Sequence, residues 1–249
     1  MRATAIEFRL RMGINAALII LGFWAPWIEP WGIGSRVSTL EWLALELSRM
    51  GLLSFTLATP VVILAGAAIA GIGAVLRVWG TAYLGSGTVQ STQMRAEGVM
   101  ADGPYRFMRN PLYLGLWCMV LALALMMPPT GALFAIVLLT FFLLRLILGE
   151  EAFLSAQLGE PYRVYLTSVP RLIPRLRTSV RRGDSKPDWL RGVLAELLPI
   201  GVFFTLAVFS WSYDRRLMGR VVLISFGVSL VVRALIPGRS AEPKPTANA

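Results

Sequence analysis

The 249-residue sequence contains no histidine and only one cysteine, Cys118. The absence of histidine removes the commonest general base near neutral pH. A single cysteine cannot form an intrachain disulfide, and with no histidine to join it, it does not make a plausible zinc site. Charged residues make up only 15% of the chain, and no stretch is long and polar enough for a separate soluble domain. Any chemistry must therefore proceed without an imidazole.

Apolar residues dominate what remains. They make up 56% of the chain, against about 45–50% in soluble domains, and the mean hydropathy is +0.65. The sequence predicts an all-α, polytopic transmembrane protein of about six spans, formed by the apolar runs 13–29, 51–80, 112–127, 130–149, 192–211 and 218–236. Residues 37–49 are too charged to span and favour an amphipathic interfacial helix. If residues 37–58 span separately, the count becomes seven.

The net charge is +10, and 22 of the 24 cationic residues are arginine. Because they flank the apolar runs, they are better explained by anionic headgroups and the positive-inside rule than by nucleic acid, which we do not expect as a partner. With the N-terminus inside, sixteen Lys and Arg fall on the cytoplasmic side and four outside. The outer pair Arg215–Arg216 opposes this orientation. An orientation with the N-terminus inside places the polar segments 84–111 and 150–191 together on the cytoplasmic face, where they flank one helical hairpin.

These patterns divide the chain into five regions. We expect N-terminal transmembrane helices with an interfacial segment at 1–83, a core at 84–175, a basic linker at 176–191, a C-terminal transmembrane hairpin at 192–236 and a disordered tail at 237–249.

The stretch GPYRFMRNPLYLG, residues 103–115, precedes one of the apolar runs. Pro104 and Pro111 stiffen this loop, since proline fixes φ. Two arginines add positive charge and two tyrosines add aromatic faces. Such a loop suits a flat, partly charged ligand held against the membrane, and it equally suits an interfacial anchor.

This stretch is followed, after one hairpin, by EEAFLSAQLGEPYRVYLTSVPRLIPR, residues 150–175. Together the two motifs resemble the isoprenylcysteine carboxyl methyltransferase and phospholipid methyltransferase family, whose pattern runs Gly-x-Tyr-Arg-x-x-Arg-His-Pro-x-Tyr-x-Gly, then Glu-Glu, then Gly-x-x-Tyr-x-x-Tyr and Val-Pro. The resemblance covers about 77–175. It implies a membrane enzyme that uses S-adenosylmethionine to methylate a lipophilic or lipid-anchored small molecule or protein terminus.

The resemblance also implies site residues. Arg145 would contact the substrate, and Glu151 or water would be the candidate base if the acceptor were an amine. The cofactor-binding residues it implies are Gln90, Glu97, Gly98, Val99, Met100, Tyr105, Asn110, Pro111, Leu112, Tyr113 and Glu150. From the residues themselves, Tyr162 and Tyr165 are interpreted as packing residues, and Arg171 and Arg175 are expected to meet lipid phosphate.

One position departs from the family pattern, because Asn110 stands where histidine is usual. Asparagine can bond a cofactor but cannot titrate, so the change bears on catalytic proficiency or substrate identity. Two alternatives remain. One is a membrane NADPH-dependent reductase of the sterol-reductase type. Such reductases carry a similar motif, but Leu112 and Leu116 of this chain depart from it and disfavour that alternative. The other is a non-catalytic, ligand-binding member of the fold.

Overall fold

The computed structural model describes residues 2–24, 37–91, 94, 99–175, 177–178, 180 and 183–235. Within these ranges every regular element is helical. A 3₁₀ turn covers Gly103–Arg106, and the α-helices are α1 Ala5–Arg9, α2 Arg11–Phe23, α3 Thr39–Arg49, α4 Phe55–Leu84, α5 Ser86–Gln90, α6 Pro111–Ala124, α7 Pro129–Leu158, α8 Glu160–Ser168, α9 Trp189–Ala195, α10 Leu197–Ser212 and α11 Arg215–Leu235.

Local sequence explains several helix boundaries. α1 begins with a capping box, in which Thr4 and Glu7 satisfy each other's backbone N–H groups, and α3 begins in the same way. Proline occupies the first helical position of α6 and α7, where its missing N–H costs nothing. α4 and α7 end at Gly85 and Gly159, whose φ values of 89° and 63° favour glycine.

The core forms where α4 packs against α6, α3, α9 and α10, and where α7 packs against α2 and α6. Gly73 of α4 and Gly115 of α6 lie at the α4–α6 crossing. A Cβ on Gly73 would lie 2.8 Å from the Gly115 carbonyl oxygen, and a Cβ on Gly115 would lie 2.8 Å from the Gly73 carbonyl oxygen. The two backbones therefore touch, which fixes the start of α6 against α4.

Three helices of the described chain, α4, α7 and Arg216–Leu235 of α11, are long and apolar enough to cross a membrane. α9 and α10 together would make a fourth, although the chain bends by 68° between them. α2 and α6 are apolar but shorter. The helical membrane architecture is thus supported, whereas the count of six spans is not confirmed.

The helix boundaries also differ from the apolar runs. The run predicted to end at 149 continues without a break as α7 to Leu158, so Glu150 and Glu151 belong to the same helix as the apolar run. The run 192–211 is interrupted at Glu196, where the bend lies. α3 confirms the helix expected over 37–49. Residues 25–29 and the predicted tail at 237–249 lie outside the described residues.

Candidate active site

The stretch 102–110 is bound along its length to α8 and to the chain that follows it. The Tyr165 hydroxyl donates a hydrogen bond of 2.8 Å to the Tyr105 carbonyl oxygen. The Arg109 backbone N–H donates to the Pro170 carbonyl at 2.9 Å. The two polar segments expected to lie close in space therefore meet, through hydrogen bonds that mostly involve the backbone.

Two further side chains of this stretch, those of Arg106 and Asp102, also bind the chain beyond α8. Arg106 donates two hydrogen bonds, of 3.1 and 2.9 Å, to the Val180 carbonyl oxygen. The buried Asp102 carboxylate accepts the backbone N–H groups of Gly183, at 2.5 Å, and Ser185, at 3.2 Å. Burial alone would raise the pKa of Asp102, but hydrogen bonds from Ser185 and Gly183 outweigh it and lower that pKa. Arg106, an arginine of the stretch that was expected to lie against the membrane, therefore makes its contact within the protein.

Glu151 lies at the centre of an ion cluster. Its carboxylate pairs with Arg109 at 3.1 Å and with Arg171 at 2.8 Å, and the residue is buried. The hydrogen bond to Glu151 raises the pKa of Arg171. Arg171 was expected to meet lipid phosphate, but in the structure its guanidinium binds this carboxylate. We call Arg109, Glu151 and Arg171 the arginine clamp.

Two buried tyrosines, Tyr162 and Tyr165, interact electrostatically with the clamp, and a third, Tyr105, is hydrogen-bonded to Tyr165. Burial raises the pKa of Tyr162 to about 12 and raises the pKa values of the other two as well. Tyr162 and Tyr165 form an apolar cluster with Val169, which agrees with their interpretation as packing residues. They stay protonated at neutral pH, and Tyr165 serves as a hydrogen-bond donor.

Glu150 precedes Glu151 on α7 but faces different partners, because successive residues on a helix point about 100° apart. Its carboxyl group interacts with the Tyr113 hydroxyl and with the positive charge of Arg11. Tyr113 stands in the first turn of α6, just after Pro111. The structure therefore brings together the carboxylate and the tyrosine that the two separate motifs contributed.

Asn110 caps α6 and is buried. Its side-chain amide donates a hydrogen bond of 3.1 Å to the Arg171 carbonyl oxygen. The Leu112 carbonyl accepts a hydrogen bond of 3.3 Å from Arg77 of α4. The sequence-predicted stretch Asn110–Tyr113 is thus held from both sides, by the chain after α8 and by α4.

Arg145 lies on α7 away from the clamp. Its Nη2 contacts both carboxylate oxygens of Glu7, at 2.9 and 2.8 Å, and its carbonyl accepts the Ala3 backbone N–H. The hydrogen bond from Arg145 is the main cause that lowers the pKa of Glu7 to about 2. The predicted substrate-contacting arginine is therefore paired with α1.

The remaining predicted residues are less informative. Val99 packs against the cluster of Tyr162 and Tyr165, and Met100 is half-buried. Gln90 ends α5, but its side chain lies outside the described residues, as do Glu97 and Gly98 in full.

A second buried ion cluster was not anticipated. Arg77 donates hydrogen bonds of 2.6 and 3.0 Å to Glu196, and the Thr81 hydroxyl donates to the same carboxylate at 2.6 Å. Glu196 is only 1% exposed. Arg77 and Glu196 each interrupt an apolar run of the sequence. An ionisable residue within a membrane span is rare and usually has a partner, so these two interruptions were the sequence signal for a buried pair.

Comparison with known proteins identifies one family. Residues 61–160, about two fifths of the chain, match the model of the phospholipid methyltransferase family. No curated protein and no solved structure matches the chain. The match confirms the resemblance carried by the two motifs and supports a membrane methyltransferase. It includes all of α6 and α7 and most of α4, but ends before Arg171 and Glu196.

Proposed function

We propose that this chain, whose residues 61–160 match the phospholipid methyltransferase family, is an integral membrane enzyme that transfers a methyl group from S-adenosylmethionine to a lipophilic acceptor. The observation that supports this most directly is the pairing of Glu150 with Tyr113. A carboxylate and an aromatic ring from the two halves of the motif meet at one end of the α6–α7 hairpin. Both groups can stabilise a sulfonium cation.

The residues present fit the chemistry that this cofactor needs. S-adenosylmethionine, when bound, supplies a methyl group on a sulfonium whose leaving group is a neutral thioether, so the protein has no proton to deliver to it. What the protein must do is align two reactants, and alignment can account for about 7–11 kcal/mol of the barrier. A chain without histidine can meet that requirement.

The arginine clamp supports a carboxylate acceptor over an amine. An amine must lose a proton before it attacks, and Glu151 is the candidate base for that step. Its carboxylate is already paired with Arg109 and Arg171. A carboxylate acceptor needs no base, because it attacks in its ionised form. The acceptor we propose is therefore the carboxyl group of a lipophilic or lipid-anchored molecule.

Arg145 is proposed as the residue that binds this acceptor carboxylate. In the structure its guanidinium binds the Glu7 carboxylate, which is the same chemical group that an acceptor would present. The pair is about one quarter exposed, with side-chain exposures of 24% and 29%, so an incoming carboxylate can reach it. Binding of the acceptor would then exchange one carboxylate for another.

We also propose that the cofactor site faces the cytoplasm and that six spans place it there. The charge count, sixteen against four, supports the orientation. Asp184→Cys and Met50→Cys, each in a Cys118→Ser background, place exposed thiols on opposite predicted sides. An impermeant thiol reagent added to intact cells should label the thiol at 50 and spare the one at 184. The reverse pattern would overturn the orientation.

Calorimetry on detergent-purified protein tests the function itself. We expect binding of S-adenosylmethionine and its demethylated product, and none of NADPH. Glu150→Gln should weaken cofactor binding about tenfold to a hundredfold, because a hydrogen bond to a charged group is worth about 1.5–3 kcal/mol. Glu46→Gln removes the same charge from α3 and should bind like wild type. Binding of NADPH without either sulfur compound would favour the reductase alternative and refute the proposal.

A further inference from the structure

Arg11, at the start of α2, reaches across to the main chain at the end of α5. Its Nη2 donates hydrogen bonds of 3.1 Å to the Val89 carbonyl and 2.7 Å to the Ser91 carbonyl. Its Nη1 donates to the Phe8 carbonyl at 3.0 Å, and its guanidinium lies 4.0 Å from the centre of the Phe8 ring. One side chain therefore ties α1 and α2 to the polar segment that contains predicted cofactor residues.

This guanidinium is presented by a firmly anchored element. Phe8 is 4% exposed and belongs to a core cluster with residues of α6 and α7, against which Tyr113 also packs. Glu7 and Ala3 bond to Arg145 of α7. α2 then packs along α7. The position of the Arg11 side chain against the main chain at 89–91 is therefore fixed by core packing of the segment that carries it.

Arg11 also places positive charge beside the proposed cofactor carboxylate. Its charge acts on Glu150 and on Tyr113. Segment 2–24 lies outside the matched residues 61–160 and outside both motifs, so neither assigns it a part in the site. Three components that the resemblance supplied are nevertheless linked to this one residue: the main chain beside Gln90 through hydrogen bonds, and Tyr113 and Glu150 through its charge.

We propose that Arg11 is a positioning residue of the cofactor site. It fixes the main chain at 89–91 through two carbonyl groups and holds Glu150 and Tyr113 in a defined electrostatic setting, without contacting the cofactor. The inference rests on the proposed function for the identity of the ligand. Its geometric half, that Arg11 holds the main chain at 89–91, can be tested with no cofactor present.

The test compares Arg11→Met, Arg11→Lys and the matched control Arg9→Met, which removes an exposed arginine from α1. Calorimetry should show that Arg11→Met binds S-adenosylmethionine about tenfold or more weakly, since it loses charge-assisted hydrogen bonds. Arg9→Met should bind within twofold of wild type. Arg11→Lys should recover part of the loss, because an ammonium group keeps the charge but lacks the planar fork of arginine.

A second readout separates positioning from general stability. In a Cys118→Ser background, the thiol introduced by Ser91→Cys should react faster with a maleimide when Arg11→Met is added, and at an unchanged rate with Arg9→Met. Wild-type affinity in Arg11→Met together with unchanged thiol reactivity would overturn the inference. If the wild-type protein binds no S-adenosylmethionine, the proposed function fails instead, and thiol reactivity alone decides whether Arg11 holds the main chain at 89–91.

Discussion

Arg77 and Glu196 lie 119 positions apart in the chain and share two hydrogen bonds, of 2.6 and 3.0 Å. Arg77 belongs to α4, which carries much of the family match, whereas Glu196 lies at the bend between α9 and α10, beyond that match. The pair therefore joins the segment that matches the family to the C-terminal helices through buried charge.

Removing one member of this pair should destabilise the protein strongly. Glu196→Leu leaves the Arg77 charge buried without its carboxylate, and breaking a buried ion pair in this way costs about 3–5 kcal/mol. The double variant Arg77→Met/Glu196→Leu should recover most of the loss, since neither charge remains. Thermal unfolding in detergent measures both. A double variant no more stable than the single one would mean that the helices need the charges themselves.

The arginine clamp should hold the two polar segments together. Arg171→Met should speed hydrogen exchange in peptides covering 102–110 by about two- to fivefold. This effect is modest because Arg171 is 43% exposed and solvent screens its charge. Arg163→Met removes an arginine from the exposed surface of α8 and is the control. Equal exchange in both variants would show that the backbone hydrogen bonds suffice without the clamp.

The Glu7–Arg145 pair should give α1 a pH-dependent attachment. Because the pKa of Glu7 falls from 4.5 to about 2 on folding, the contribution of the pair is complete above pH 4.5 and is lost as the pH falls towards 2. The difference in melting temperature between wild type and Glu7→Gln should therefore be constant at neutral pH and vanish in acid. A difference that persists at pH 2 would contradict this assignment of the charge.

Gly115 should not tolerate a side chain. A Cβ there would lie 2.6 Å from the Arg77 side chain as well as against the Gly73 carbonyl, so Gly115→Ala should cost about 1–3 kcal/mol through overpacking. Gly13→Ala is the matched control, because a Cβ at that helical position meets nothing within 4 Å. Alanine should stabilise α2 slightly there. A neutral Gly115→Ala would mean that the α4–α6 crossing can relax.

Asn110→Ala should weaken cofactor binding by only a few-fold to tenfold. It removes one neutral hydrogen bond, to the Arg171 carbonyl, worth about 0.5–1.5 kcal/mol. Asn110→His should be tolerated, since an imidazole N–H can donate to the same carbonyl. Titration of S-adenosylmethionine into both variants measures this. A loss of a hundredfold in the alanine variant would contradict a role limited to one neutral hydrogen bond.

The sequence was informative where the physical signal is local. Apolar runs located most of the longer helices, because such a run is a property of neighbouring residues. Arg171 was placed in the right region, but lipid phosphate was expected as its partner, whereas its guanidinium binds the Glu151 carboxylate. Arg171 looked like a lipid contact because nothing in its own neighbourhood showed that the Glu151 carboxylate, twenty positions earlier, would reach it.

Contacts that depend on tertiary packing could not be read from the sequence. Arg11 looked like one more cation at a helix end, and its two acceptors, the Val89 and Ser91 carbonyls, are main-chain atoms with no residue-type signature. Arg77 carried a stronger hint, since a charge in an apolar run demands a partner. The sequence did not indicate which of the chain's carboxylates is the partner of Arg77.

The way 102–110 is held determines where this protein could be cut and rejoined. Its partners, Tyr165, Pro170 and Val180, all lie beyond residue 160, where the family match stops. A chimera that moves only the matched segment into another membrane protein would separate these groups from their hydrogen-bond partners and would leave the Arg77 charge without the Glu196 carboxylate. The transplantable unit runs at least to Glu196, so the boundary for engineering lies well outside the boundary of recognisable sequence.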